Sequence, residues 1–225
     1  MKALKTFQHY FKKEIKKNQL AERHHYLLAI AILNLLDWQD HLKWVIQEAL
    51  KNKISKTEME EVILQNYLFA GYPTTIEGLL CLHEIYRIPS MSSDFDSYKN
   101  YSLWKKKGID LCQTIYGEHF ERLMTNINML NLDLAEWMLV EGYGKVLSRN
   151  QLDLITRELC ILTVLVVQNK PRQLRSHLRG AFHVKASSEQ IQAALHFASY
   201  FIPPRQYREA KQLFRAAEKS VKKRK

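Results

Sequence analysis

Apolar residues recur along this chain at intervals of three and four, the spacing that lines one face of an α-helix. Leu4, Phe7, Phe11 and Ile15 follow it, with Lys12, Lys13, Lys16 and Lys17 mostly between them, which predicts a basic amphipathic helix. Its apolar face suits either packing against the body or lying on an acidic membrane surface. Residues 23–37 (RHHYLLAIAILNLLD) are apolar nearly all round, so this helix is expected to be buried. Residues 38–52 continue as a second helix with Leu42, Val45, Ile46, Ala49 and Leu50 inward. Ser55-Lys56-Thr57-Glu58 has the form of a capping box, in which the Ser oxygen takes a free amide and the Glu reaches back. The helix it opens runs to Ala70 and stops at Gly71-Tyr72-Pro73, and another follows to about Arg87.

Residues 88–98 (IPSMSSDFDSY) form the polar, serine-rich interruption of the body and read as a linker. Helices are expected near 99–113, 117–129 and 131–142. Gly142-Tyr143-Gly144 follows, and SRNQLDLITREL then leads into a long apolar helix ending at Asn169. Pro171 suits the first turn of the next helix, where its missing amide costs nothing. Ser187-Ser188-Glu189-Gln190 is a second capping box, and its helix ends before Pro203-Pro204. Ala49 and Ala181, like Ser55 and Ser187, are 132 residues apart, and Pro73 and Pro204 are 131 apart. In both halves a buried helix leads to a second, then to a capped third, then through a Pro-marked turn to a fourth. This order predicts a tandem duplication of one helical unit of about 65 residues, with about as many between the copies. The fold class is all-α.

Composition narrows the picture. A chain of 225 residues with 46% hydrophobic and 25% charged positions has room for a real core. Twelve breakers, seven Gly and five Pro, argue against a turn-rich β fold. Cys81, Cys112 and Cys160 stand far apart without CxxC or CxxH spacing, so neither a disulfide scaffold nor a metal module is indicated. No apolar run reaches the roughly 18 residues of a membrane span. MKALKTFQHYFKK lacks an apolar signal core, which predicts a cytoplasmic home. The net charge of +11 is concentrated at the ends, +5 in residues 1–20 and +7 in 205–225, leaving the body near −1. That distribution is not a basic groove. The ends are either solvated terminal helices or, at Lys222, Lys223, Arg224 and Lys225, a polyanion-binding tail; no specific nucleic-acid partner is expected.

The second half carries a Gly before Ser-Arg-x-x-Leu-Asp and a Thr-Arg-Glu-Leu opening of a buried helix. A Gln-Leu-x-x-His-x-x-x-Ala helix and a Ser-x-x-Gln-Ile helix before a Tyr-x-x-x-Pro turn complete the set. Ordered together, these elements resemble the carboxymuconolactone decarboxylase family of the alkyl hydroperoxidase D-like superfamily. Residues 142–210 carry the match, residues 23–87 carry it weakly, and the stretch 99–120 resembles the approach segment of tandem members. The organisation this implies is a basic N-terminal helix over 1–20 and a degenerate first repeat over 21–87. Linker and connecting helices follow over 88–129, then a better-matching second repeat over 130–210 and a basic tail over 211–225.

The resemblance implies one of two chemistries. Peroxidase members hold two cysteines seven and four residues before a His, with a Glu nineteen before it. Here those positions are Lys170, Gln173 and Glu158, before His177, so the Glu and His are kept and both thiols are gone. A thiolate is the nucleophile in peroxide reduction, and Cys160, inside an apolar helix without a resolving partner, reads as a core residue. Decarboxylase members lack those cysteines. Loss of CO₂ moves negative charge onto the carbon skeleton, so the site needs a positioned proton donor in a shielded pocket. Glu158 and His177 are therefore the candidate catalytic pair, and Arg149 is the candidate substrate-binding residue by its resemblance to a family position near the pocket. In an antiparallel helix hairpin the two would differ in height by roughly 6 Å, which favours a water bridge over direct contact. The alternative is that Glu158 pairs with Arg157 or another Arg and His177 is an interior histidine.

Weaker candidates surround these. Arg172, Arg175 and Arg179 form a helical stripe that either attracts a carboxylate or is solvated, and Tyr200 is expected in the core. His24, His25, His41, His83 and His119 show no metal-ligand clustering, and Tyr26 and Val45 stand in the first half where Glu158 and His177 stand in the second. The reading is a carbon–carbon lyase that needs no cofactor or metal and acts on a small carboxylated lactone or ring. Its alternative is a non-catalytic helical scaffold. The resemblance also implies a homo-oligomer, a trimer before a dimer, because two units per chain would complete a six-unit ring with three chains.

Overall fold

The computed structural model describes residues 3–17, 20–86 and 100–222. The expected linker at 88–98 and the tail residues Lys223, Arg224 and Lys225 lie outside them. Among the described residues every regular element is helical, as the periodicity predicts. The chain forms two compact units, one of residues 1–87 with 151–225 and one of residues 88–150.

In the first unit, α1 (Leu4–Lys17) buries Phe7, Phe11 and Glu14, while Ile15 is only half-buried. Two helices form the centre: α2 (Glu22–Leu35), buried continuously from His25 to Asn34, and α8 (Leu154–Val167), buried from Thr156 to Val166. Both are apolar nearly all round because they pack on each other and on further helices at once. Around them lie α3 (Gln39–Lys51), α4 (Lys56–Tyr86), α9 (Pro171–His183), α10 (Ser188–Ala198) and α11 (Pro204–Lys222). The sequence break at Gly71 is a kink within α4: Gly71 adopts φ 80°, a conformation in which a Cβ is strained. Both capping boxes form. Ser55 Oγ accepts from the Glu58 N–H at 3.1 Å while the Ser55 N–H donates to Glu58 Oε2 at 3.2 Å, and Ser187 and Gln190 make the same exchange. The tail residue Lys222 pairs with Glu218 at 3.1 Å.

Element boundaries in this unit fall at a constant offset. Glu22 and Leu154, Gln39 and Pro171, and Lys56 and Ser188 open helices 132 residues apart, and Leu35 and Val167, like Lys51 and His183, close them at that spacing. Among the described residues the non-glycine positions with positive φ are Asp37, Lys53, Asn169 and Lys185, two pairs at the same offset. Their turns share hydrogen bonds: the Ile54 N–H donates to the Ala49 carbonyl at 3.0 Å and the Ala186 N–H to the Ala181 carbonyl at 2.9 Å, the long-range bond of a left-handed helix terminus.

The second unit contains α5 (Tyr101–Tyr116), a 3₁₀ turn (Gly117–His119), α6 (Phe120–Leu130) and α7 (Leu132–Trp137). A π-helix (Met138–Leu147) runs on from α7. The helix expected over 131–142 is thus a short α-helix that widens and runs past both glycines, a change of winding that a 3.6-residue pattern does not register. The glycines serve close approach: a Cβ on Gly108 would stand 1.9 Å from the Leu139 carbonyl oxygen, and one on Gly144 would stand 2.0 Å from that of Trp104. Beside this crossing the Tyr116 and Tyr143 hydroxyls hydrogen-bond at 2.7 Å.

Candidate functional site

Asp153 caps α8: its carboxylate accepts from the Thr156 N–H at 2.8 Å and the Thr156 hydroxyl at 2.7 Å. Arg23 of α2 ties this cap to the α4 cap, its guanidinium meeting Glu58 at 2.6 Å, Thr156 Oγ1 at 3.0 Å and Asp153 at 3.1 Å. Burial pushes the Asp153 carboxyl up, but Thr156 and then the Arg23 guanidinium pull it below its ordinary value. α8 therefore enters the core with its N-terminus fixed.

One turn further in, α8 points two charged side chains in different directions. Arg157, 1% exposed, donates to Glu61 of α4 at 2.6 Å and to Gln65 at 3.3 Å. The Gln65 side-chain amide in turn donates to the Arg157 carbonyl at 3.4 Å. Arg157 thus reaches α4. Glu158, 2% exposed, meets His177 of α9 instead: Nδ1 stands 3.0 Å from Glu158 Oε2. The contact is direct rather than water-bridged. The expected offset of roughly 6 Å between their positions along the hairpin is spanned by the side chains themselves. The Phe69 ring of α4 stands edge-on to the imidazole at 6.1 Å, held where the Gln168 side chain donates to the Phe69 carbonyl at 2.7 Å.

The other expected residues divide clearly. Lys170 and Gln173, at the thiol positions of the peroxidase pattern, are exposed on the surface. Cys160 is fully buried and burial pushes its thiol up to about 12, so the thiolate is not the neutral-pH species. Arg172 and Arg175 are exposed and Arg179 is half-buried. Tyr200 is half-buried rather than core, stacked on Tyr10 with ring centroids 3.9 Å apart. His25 and His41 are core residues. Arg149 belongs to the second unit, half-buried just beyond the π-helix. Glu61, Gln65 and Phe69 are the residues that sequence reasoning missed. The available signal was a carboxylate at Glu61 and an amide at Gln65, one helical turn apart in a stretch otherwise buried through Met59, Val62 and Ile63.

A model of the Carboxymuconolactone decarboxylase family matches residues 134–219. Over 97 residues the chain is 30% identical to 4-carboxymuconolactone decarboxylase of Acinetobacter baylyi, covering 42% of this chain and 72% of that protein. The chain belongs to the carboxymuconolactone decarboxylase family. It is also 26% identical over 189 residues to Peroxisomal protein 2 of Schizosaccharomyces pombe, covering 80% of this chain and 85% of that protein. Peroxisomal protein 2 of Saccharomyces cerevisiae is 26% identical over 162 residues, which span 60% of this chain and 57% of that one. In this carboxymuconolactone decarboxylase family member no described helix is long and apolar enough to cross a membrane.

Proposed function

We propose that the chain is a tandem duplication of the family's helical unit whose second copy is a cofactor-free carbon–carbon lyase acting on a small carboxylated lactone or ring. The observation that carries this reading is the buried 3.0 Å hydrogen bond between Glu158 and His177. A carboxylate accepting from Nδ1–H fixes the ring's tautomer and stabilises the imidazolium, which puts the exchanged proton at Nε2. As the bond to the carboxyl carbon breaks, its electron pair passes to the substrate skeleton, CO₂ leaves, and His177 supplies the proton. The test of the pair is CO₂ release from a panel of carboxylated lactones by wild type and His177→Gln. Equal turnover would end the assignment.

A second reading has its own support. His177 is only 7% exposed, and a packed histidine suits a helical scaffold descended from the enzyme. The longer match, over 80% of the chain, is to a protein named for a peroxisome and not for a reaction. Absence of turnover on every substrate would select the scaffold. That name also sets a peroxisomal placement against the cytoplasmic one expected from the sequence, and imaging the tagged protein separates them. Association into trimers, with dimers next, remains part of the proposal; light scattering that finds only monomer at micromolar concentration would remove it.

A further inference from the structure

A groove of about 340 Å³ lies where the end of α1 meets α10 and α11, and neither Glu158 nor His177 lines it. That volume falls in the range of small-molecule sites, about 300–1,000 Å³. Its floor is apolar, with Ala193, Leu195 and Phe214 all buried. Its rim is cationic: Lys17, Lys211 and Arg215 line it, and none has a carboxylate partner among the described residues. Lys211 Nζ instead sits 4.8 Å over the Tyr207 ring, which also lines the groove.

The carboxylate of the lining is already engaged. Glu189 is held below the ordinary carboxylate range by its own backbone N–H and then by Ser187, in the first turn of α10. The imidazole of His196 is likewise engaged, its Nε2 standing 3.3 Å from Glu14. Three cations thus stand over an apolar floor and outnumber the one carboxylate of the lining, Glu189. An inorganic anion would leave the floor wet, and a neutral apolar molecule would leave the cations bare.

We propose that this groove binds a small organic anion with an apolar body, an aryl carboxylate in its simplest form. The carboxylate meets Arg215, Lys211 and Lys17 on the rim, and the ring lies against Tyr207 and Phe214. The site is separate from the Glu158–His177 pair and stands whether or not that pair is catalytic.

The test is titration of the full chain with phenylacetate, followed by calorimetry and by amide NMR shifts. Benzyl alcohol and inorganic phosphate serve as controls that each keep one half of the proposed chemistry. Saturable phenylacetate binding centred on α10 and α11 is expected, with both controls at least about tenfold weaker. Lys211→Gln combined with Arg215→Gln, at a half-buried and an exposed position, should weaken it at least about tenfold at unchanged melting temperature. Gln192→Trp, at an exposed lining position, should block it while the charges remain. No saturable binding, equal binding of phosphate, or full affinity in either variant would overturn the proposal. Shifts that centre on α9 and vanish in His177→Gln would do so too, by placing the ligand at the other site.

Discussion

The hairpin of α2 and α3 and the hairpin of α8 and α9 have the same helix lengths and left-handed residues at equivalent turn positions, yet they bury different chemistry. Where the later hairpin has Glu158 hydrogen-bonded to His177, the earlier one has Tyr26 and Val45. Tyr26 turns its hydroxyl to Glu22 at 3.3 Å and receives the Asn52 side-chain amide at 2.7 Å. Val45 is fully buried with no polar atom to offer. A second contrast lies one residue earlier. Arg157 reaches Glu61 and Gln65 on α4, whereas His25, 132 residues before it, meets Phe197 edge-on at 5.9 Å. Glu61 and Gln65 themselves correspond at that offset to Ala193 and Phe197. The backbone plan is shared and the interior polarity is not, so the same helix geometry supports a dry aromatic contact on one side and a buried ionic one on the other.

The strongest way to break this contrast is at the acid–base pair. His177→Gln keeps polarity and approximate size, so the fold should survive while any lyase rate falls by about 10²–10⁴. Val45→Ala in the other hairpin should leave that rate unchanged. A comparable rate loss from both would mean that the chemistry is not confined to the later hairpin.

Next in size is the buried ion pair. Arg157→Met strands the Glu61 carboxylate and is expected to cost about 3–5 kcal/mol in chemical denaturation. Pairing it with Glu61→Met removes the stranded charge, and much of the loss should return. A double variant no better than the single would show that the pair's cost lies in packing rather than in charge.

A smaller, pH-dependent effect belongs to the earlier hairpin. Burial holds the His24 and His25 side chains below the ordinary histidine value, with Arg23 adding to the effect at His24. The unfolded chain then binds more protons than the folded one as pH drops below about 6.5. Folding stability should therefore fall in that direction, by at most about 1.4 kcal/mol per pH unit for each group. The matching positions in α8 are Thr156 and Arg157, neither of them a histidine. His25→Asn should flatten the slope between pH 7 and 5; an unchanged slope would assign it elsewhere.

The smallest effect tests the shared plan itself. Lys53 and Lys185 sit at φ 62° and 72°. Glycine relieves the left-handed strain but costs chain entropy, so each Lys→Gly should stabilise by about 0.5 kcal/mol. Similar gains at both sites would support equivalent turns, and opposite signs would separate them.

The sequence by itself determined what depends on neighbours along the chain. Helical periodicity placed the helices, the Ser55 and Ser187 boxes set two starts, and Gly71 marked the kink. The nineteen-residue spacing nominated Glu158 and His177 through a family resemblance. Tertiary structure alone decided which way adjacent charges face. Arg157 and Glu158 are consecutive, and a helix turns about 100° per residue, so one meets α4 and the other α9. Glu61 became a buried partner because α4 lies against α8, a contact between residues 96 apart. Its cost and benefit are invisible in either segment read alone, since a buried charge is tolerable only where its partner is brought to it.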